Sequence, residues 1–151
     1  MHSSEHDIQL LLDALYQSIC FAKGEKPTFD GLRELFLPQG ILINNNNPAA
    51  PLVLSVSAFL EAIQSAIETG GLEEFHEQEI ARKIEIFGNI AHVFSTYEAR
   101  FDRTAPEPFS IGINTIQLVR VGESGHQQWR VAAMAWNDQT PERLIPPEYL
   151  P

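Results

Sequence analysis

The chain has 151 residues, of which 44% are hydrophobic and 20% charged, enough for one globular domain with an unassisted core. Its formal charge of -10, from 20 acidic and 10 basic residues, argues against nucleic acid as a partner, because phosphate binding needs a basic footprint. Cys20 is the only cysteine, which excludes an intrachain disulfide and a cysteine-based zinc site.

The first residues, MHSSEHDIQ, lack a basic segment followed by an apolar run, so they do not read as a signal peptide. No run approaches the roughly 18 apolar residues of a membrane span. The expected setting is therefore cytoplasmic, with no membrane partner.

Residues 5–22 are expected to form a helix. Ile8, Leu11, Leu12, Leu15, Ile19 and Ala22 follow the spacing of one buried stripe, with Ser4 as the cap and Gly24 and Pro27 as the stop. A short helix is expected over 30–37, opened by Asp30 and stopped by Pro38. GILINNNN then reads as a strand entering a polar loop, and PLVLSV as a second short strand. Ser57 is expected to cap a third helix over 58–69, closed by Gly70 and Gly71. From Glu73 to Asp138 the chain reads as two long hairpins joined by DRTAPEP. The tail TPERLIPPEYLP is proline-rich and extended. Helices first and long antiparallel strands last imply an α+β class, with a curved sheet wrapped around the helices and a single domain over 1–151.

The first hairpin carries the functional question. With Gly88-Asn89 at its turn, Arg82 opposes Ser95 and Ile80 opposes Tyr97. Strict alternation puts Ile84, Ile86, Ala91 and Val93 on one face with His76, Arg82, Ser95 and Tyr97. Four polar side chains on an otherwise apolar, core-facing surface suggest a cavity, apolar at its base and polar at its mouth. His76 could act as a base near neutral pH, and Arg82 and Tyr97 could hold a ligand oxygen. The alternative is a structural network with water. No carboxylate on its own face is evident for Arg82. Asn114 shares a face with Ile116 and Leu118, and either orients a ligand or bonds a neighbouring side chain. Phe87, Ile90 and Phe94 fall on the other face. Trp129 and Val131 are expected in the core, with Met134 and Trp136 opposite, in a contact with a second subunit. His2, His6, His92 and His126 lack the spacing of a metal site, so neither metal nor cofactor is expected, and no catalytic residue is assigned.

The order of elements, together with EIARKIEIFGNIAHVFSTYEAR, GINTIQL, Trp136-Asn137-Asp138 and IPPEYLP, resembles the nuclear transport factor 2-like superfamily. Ketosteroid isomerase and the SnoaL-like cyclases belong to that group, and the motifs look like those of a bacterial subgroup without an assigned activity. The resemblance implies a cone-shaped half-barrel, a pocket between sheet and helices, and a homodimer formed through the sheet. In ketosteroid isomerase a tyrosine on the first helix donates to the oxyanion, and Tyr16 stands at the comparable place; otherwise Tyr16 is an edge of the core. The two early strands contain no Asp or Glu, and the last strand has none before Asp138, which departs from the isomerase pattern. The expectation is a protein that binds an unidentified small apolar molecule with an oxygen-bearing end, through His76, Arg82, Ser95, Tyr97, Asn114 and Tyr16. The alternative is a non-catalytic homodimeric association domain with a side-chain-filled core.

Overall fold

The computed structural model describes residues 3–151; His2 lies outside the described residues. Three helices precede the long strands: α1 (Ser4–Ser18), α2 (Asp30–Leu35) and α3 (Val56–Glu68). Six strands follow or interleave: β1 (Phe36–Asn44), β2 (Leu52–Ser55), β3 (His76–Phe87), β4 (Ile90–Arg100), β5 (Ser110–Val121) and β6 (Gln128–Asp138). The class is α+β, as the pattern of elements implies. The six strands form one open sheet in the order β2-β1-β6-β5-β4-β3. It is mixed rather than wholly antiparallel, because β1 runs parallel to β6 while every other neighbouring pair is antiparallel.

The helices cover one face of this sheet. α1 presents Ile8, Leu11, Leu12, Leu15 and Tyr16, all buried, on the stripe its spacing dictates. The four aliphatic residues of this stripe meet Val93, Ile116, Leu118 and Val131 from the sheet in one core cluster. Several local boundaries differ from expectation. Ser3, not Ser4, caps α1, its hydroxyl accepting from the His6 amide. The helix ends at Ser18, because the chain turns there to bridge Phe21 with Phe75. Ser55, not Ser57, caps α3; the Ser57 hydroxyl instead accepts from Arg33. Asp30 is not a cap either, since Phe29 occupies that position in a left-handed conformation without a side-chain bond. Leu35 is the last residue of α2, and the chain is already extended at Phe36.

The two long hairpins form, each with one irregularity that alternation alone does not reveal. In β3, Arg82 pairs with Ser95 as expected, but Tyr97 pairs with Glu79 rather than Ile80. Ile80 is a bulge residue without a partner, so parity reverses on its N-terminal side. Glu77, opposite Ala99, and Glu79, opposite Tyr97, therefore turn toward the helices, whereas His76 and Gln78 leave the inner face. In β6 a second shift between Gln117 and Leu118 leaves Ala132 unpaired. Met134 and Trp136 consequently share the inner face with Trp129 and Val131. This overturns the expected place of Met134 and Trp136 in an intersubunit contact: Met134 is buried in the core and Trp136 packs edge-on against Phe59 of α3.

The outer face is partly covered by the chain's own tail. A 3-10 turn, Pro147–Tyr149, lies over β3 and β4, where the Tyr149 ring stacks on Phe94 at 5.1 Å. The Tyr149 carbonyl accepts from Thr96 at 2.6 Å, and Thr96 is 1% exposed. Glu85 and His92 pair across the hairpin at 2.8 Å on this outer side, in solvent, as the register predicts. Among the described residues, no helix is long and apolar enough to cross a membrane.

Candidate functional site

Between the sheet and the helices lies a cavity of about 320 Å³. Its walls are mostly apolar, and rings form a large part of them. Phe101 and Phe109 stack with centroids 3.8 Å apart, Phe75 leans on both, and Phe59 meets Trp136 edge-on at 6.1 Å. These residues come from the segment before β3, the end of β4, the loop before β5, α3 and β6. The bulge at Ala132 is what brings Trp136 into that wall.

The polar lining is set by two rows that cross the sheet. One row is Ser95, Asn114, Trp136 and Asn44, neighbours in register on β4, β5, β6 and β1. The other is Tyr97, Gly112 and Asp138. Tyr97 donates its hydroxyl proton to Asp138 across the intervening strand. It can do so because residue 112 is glycine: a Cβ there would sit 2.3 Å from the Tyr97 hydroxyl oxygen and 2.5 Å from the Asn137 carbonyl oxygen. The other Asp138 oxygen accepts from Asn46 at 3.1 Å. The asparagine run that reads as a loop thus supplies two lining residues, Asn44 and Asn46. Burial, and next the bond to Asp138, push the Tyr97 hydroxyl above its ordinary value, so it remains a donor.

Glu77 lines both this cavity and an open cleft between α1 and the edge strand β3. No hydrogen bond reaches its carboxyl group among the described residues. Burial, with a smaller contribution from Asp138, raises its pKa from 4.5 to about 8. Such a group can give or take a proton near neutral pH. Ser110 also lines the cavity, and its hydroxyl is buried without a partner.

Behind Asn114 a polar chain runs to the surface. Asn114 donates to the Tyr16 hydroxyl oxygen at 2.9 Å, and the Tyr16 and Ser95 hydroxyls are 2.6 Å apart. Ser95 donates to Glu79, so its single proton is committed and the shared proton at Tyr16 comes from Tyr16. Burial raises the Tyr16 hydroxyl well above its ordinary value, which keeps that proton in place. Glu79 then pairs with Arg82 at 2.7 Å, and Arg82 reaches Asp13 at 3.4 Å.

The six residues singled out in the sequence therefore divide. Tyr97 and Asn114 line the cavity. Tyr16 stands behind Asn114 in a small adjoining recess, and Ser95 is fully buried between Tyr16 and Glu79. Arg82 and His76 line the cleft instead, where Arg82 has the carboxylate partners expected to be missing and His76 pairs with Glu74 at 2.6 Å. For His76 the reason is the Ile80 bulge, which substitutes Glu77 and Glu79 for His76 and Gln78 on the inner face; Arg82 keeps its expected register and is drawn to Glu79, which the bulge turns inward, and to Asp13. Neither Glu77 nor Asp138 was legible as a lining group, since β3 carries no glycine or proline to mark a bulge and Asp138 stands at the strand's last position. Among the described residues, no group of three or more His, Cys, Asp or Glu is placed to hold a metal ion.

The architecture is that of the nuclear transport factor 2-like fold. An NTF2-like protein of unknown function from Shewanella baltica superposes with a TM-score of 0.61 at 14% identity, covering 93% of this chain and 99% of that one. A protein from Parabacteroides distasonis, provisionally described as a ketosteroid isomerase, matches at a TM-score of 0.55 and 15% identity over 89% of this chain and 87% of that one. A protein from Exiguobacterium sibiricum, provisionally described as a calcium/calmodulin-dependent kinase II association domain, matches at 0.59 and 11% identity over 93% and 98%. No family model and no curated protein sequence matches the chain.

Two outcomes test this geometry. Gly112→Ala is expected to displace Tyr97 and sever its bond to Asp138, with a loss of about 1–3 kcal/mol in denaturant unfolding; an unchanged midpoint would contradict the close approach. The raised pKa of Glu77 also has a sign in stability. The folded state keeps the Glu77 proton between pH 4.5 and about 8 while the unfolded chain loses it, so this group's stabilising contribution declines across that window and is flat above it. Glu77→Gln should remove that decline, and unfolding curves collected from pH 5 to pH 9 would show it as a variant whose relative stability increases with pH.

Proposed function

We propose that the chain binds a small, largely apolar molecule in the cavity between sheet and helices. What carries this reading is the cavity itself: about 320 Å³ is left open between sheet and helices, it is lined by Glu77, whose carboxyl group has no hydrogen-bond partner among the described residues, and by Ser110, whose hydroxyl is buried without one. Space of that size with aromatic walls and a few convergent polar groups is typical of ligand sites, and buried polar groups without partners are rare in a purely structural core. Tyr97, Asn114, Glu77 and Asp138 would orient the ligand, with Tyr16 and Ser95 fixing Asn114 from behind. The oxygen-bearing end expected of the ligand rested on Arg82 and Tyr97; of these Tyr97 lines the cavity, while Arg82 serves the cleft, as does His76, the expected base. The association-domain alternative needs a core filled by side chains, and the cavity counts against it.

We further propose a homodimer through the outer face of the sheet. Phe87 is 83% exposed and Ile90 51% exposed at the hairpin end of that face, beyond the reach of the tail's cover on Phe94. Ile111, Ile113 and Val119 continue the apolar surface across β5, each only half-buried.

For ligand binding, the neutral fluorophore N-phenyl-1-naphthylamine should bind and brighten. Ala99→Phe, which projects a ring into the cavity, should weaken that binding at least about tenfold, or about 1.4 kcal/mol. A thermal melt confirms that the variant folds, and equal binding by a folded variant would reject the cavity as the site. For assembly, light scattering should give twice the chain mass, and Phe87→Glu should shift it toward monomer because a carboxylate is costly in an apolar contact; a monomeric wild type would end the dimer proposal.

A further inference from the structure

The charge distribution around the cavity is lopsided. Among the described residues, no Lys, Arg or His lines it, whereas Glu77 and Asp138 both do. The nearest basic side chains lie on the cleft side and are already engaged or in solvent: Arg82 with Glu79 and Asp13, Arg100 with Glu98 at 2.7 Å, His76 with Glu74, and Arg103 exposed. The remaining titratable groups near Glu77 are Tyr97 of β4, Tyr16 of α1 and Cys20, whose thiol donates to the Glu77 carbonyl. None of these is cationic. The rings of Phe59, Trp136, Phe75 and Phe101 line the same cavity, and the faces of such rings carry partial negative charge.

We infer that the cavity takes an organic ammonium ion: a small molecule with an aromatic or aliphatic body and one protonated amine, seated on the Glu77 carboxylate among the aromatic rings. This rests on the reading of the cavity as a binding site and gives that site its chemical class. A carboxylate ligand would meet two acidic groups and no base, and like charges in a desolvated site repel strongly. A neutral alcohol could accept one hydrogen bond from protonated Glu77 but would leave the electrostatic asymmetry unused. An ammonium ion satisfies the unpartnered Glu77 oxygens with charge-assisted bonds and places its cation against ring faces. Charge balance then requires a proton to move. In the empty cavity at pH 7 the Glu77 carboxyl is mostly protonated; when the ammonium binds, that proton goes to the solvent and a carboxylate–ammonium pair forms, with no net charge added to the buried site.

The test compares three molecules with the same body and different ends, 1-naphthylmethylammonium, 1-naphthylmethanol and 1-naphthoate, by titration calorimetry at pH 7 in phosphate and in Tris. The expected result is an ammonium bound at least about tenfold more tightly than the alcohol, no detectable naphthoate binding, and a difference between buffers equivalent to nearly one proton released per ammonium bound. The ammonium affinity should also rise from pH 6 to pH 8 and level off above it. Glu77→Gln should bring the ammonium down to the alcohol's affinity and abolish the proton release, and Ala99→Phe should eliminate binding, which separates cavity binding from attraction to an acidic surface. Alcohol or naphthoate binding as tight as the ammonium's, or ammonium binding without proton release, overturns the inference while leaving the cavity as a site. Failure of all three to bind wild-type protein overturns the binding site and the inference together.

Discussion

One residue too many in a strand decides the chemistry of the interior. Side chains alternate strictly along β3, so the face that each presents depends on counting from the turn. Ile80 breaks the count: from Phe87 to Ala81 the register is that of an ordinary hairpin, and from Glu79 to His76 it is reversed. The carboxyl groups of Glu77 and Glu79 enter where an imidazole and an amide would otherwise be. The two inner carboxyl groups of β3 follow from that substitution. Glu79 accepts from Ser95 and pairs with Arg82, closing a network to the surface. Glu77, with no such partner, is left facing an open volume, and its burial raises its affinity for a proton into the neutral range.

The second bulge acts on the walls rather than the charges. With Ala132 unpaired, β6 presents Trp129, Val131, Met134 and Trp136 to the same side. The first two pack into the core, and Trp136 reaches the cavity, where it meets Phe59. Bulges bend and twist the strands that contain them. Two of them, on β3 at the sheet's edge and on β6 near its middle, add curvature to one sheet. The same curvature lets Tyr97 reach over Gly112 to Asp138, a contact that any side chain at residue 112 would obstruct.

The interior is thus divided into a satisfied network and an unsatisfied cavity, and the division is physical. Tyr16, Ser95, Asn114, Glu79 and Arg82 each have partners, and they stiffen the wall behind the site. Glu77 and Ser110 line the volume a ligand could occupy; no hydrogen bond reaches the Glu77 carboxyl group among the described residues, and the Ser110 hydroxyl is buried without a partner. On the outer side of the sheet, the tail occupies Phe94 and Thr96 and leaves the hairpin end, with Phe87 and Ile90, open.

Hydrophobic periodicity was sufficient for the helix stripe of Ile8, Leu11, Leu12 and Leu15, for the strand order within each hairpin, and for the α+β class, because these depend on spacing along a continuous segment. Asn114 and Tyr97 were legible for the same reason: both lie where local alternation holds, beside Ile116 and opposite the start of the reversed segment. Glu77, Asp138, Trp136 and the separation of Arg82 from the cavity were not. A bulge is a property of two strands in register, and neither Ile80 nor Ala132 differs chemically from its neighbours in a way that marks it. Which helix residue performs the capping likewise shifted by one or two positions, since Ser3 and Ser4, or Ser55 and Ser57, are interchangeable until the backbone chooses where to bend. The sequence by itself determined which segments must be buried; only the pairing of strands in three dimensions decided which acidic side chains are buried with them, because the cost of placing a carboxyl group inside is set by the neighbours it meets there and not by its place in the chain.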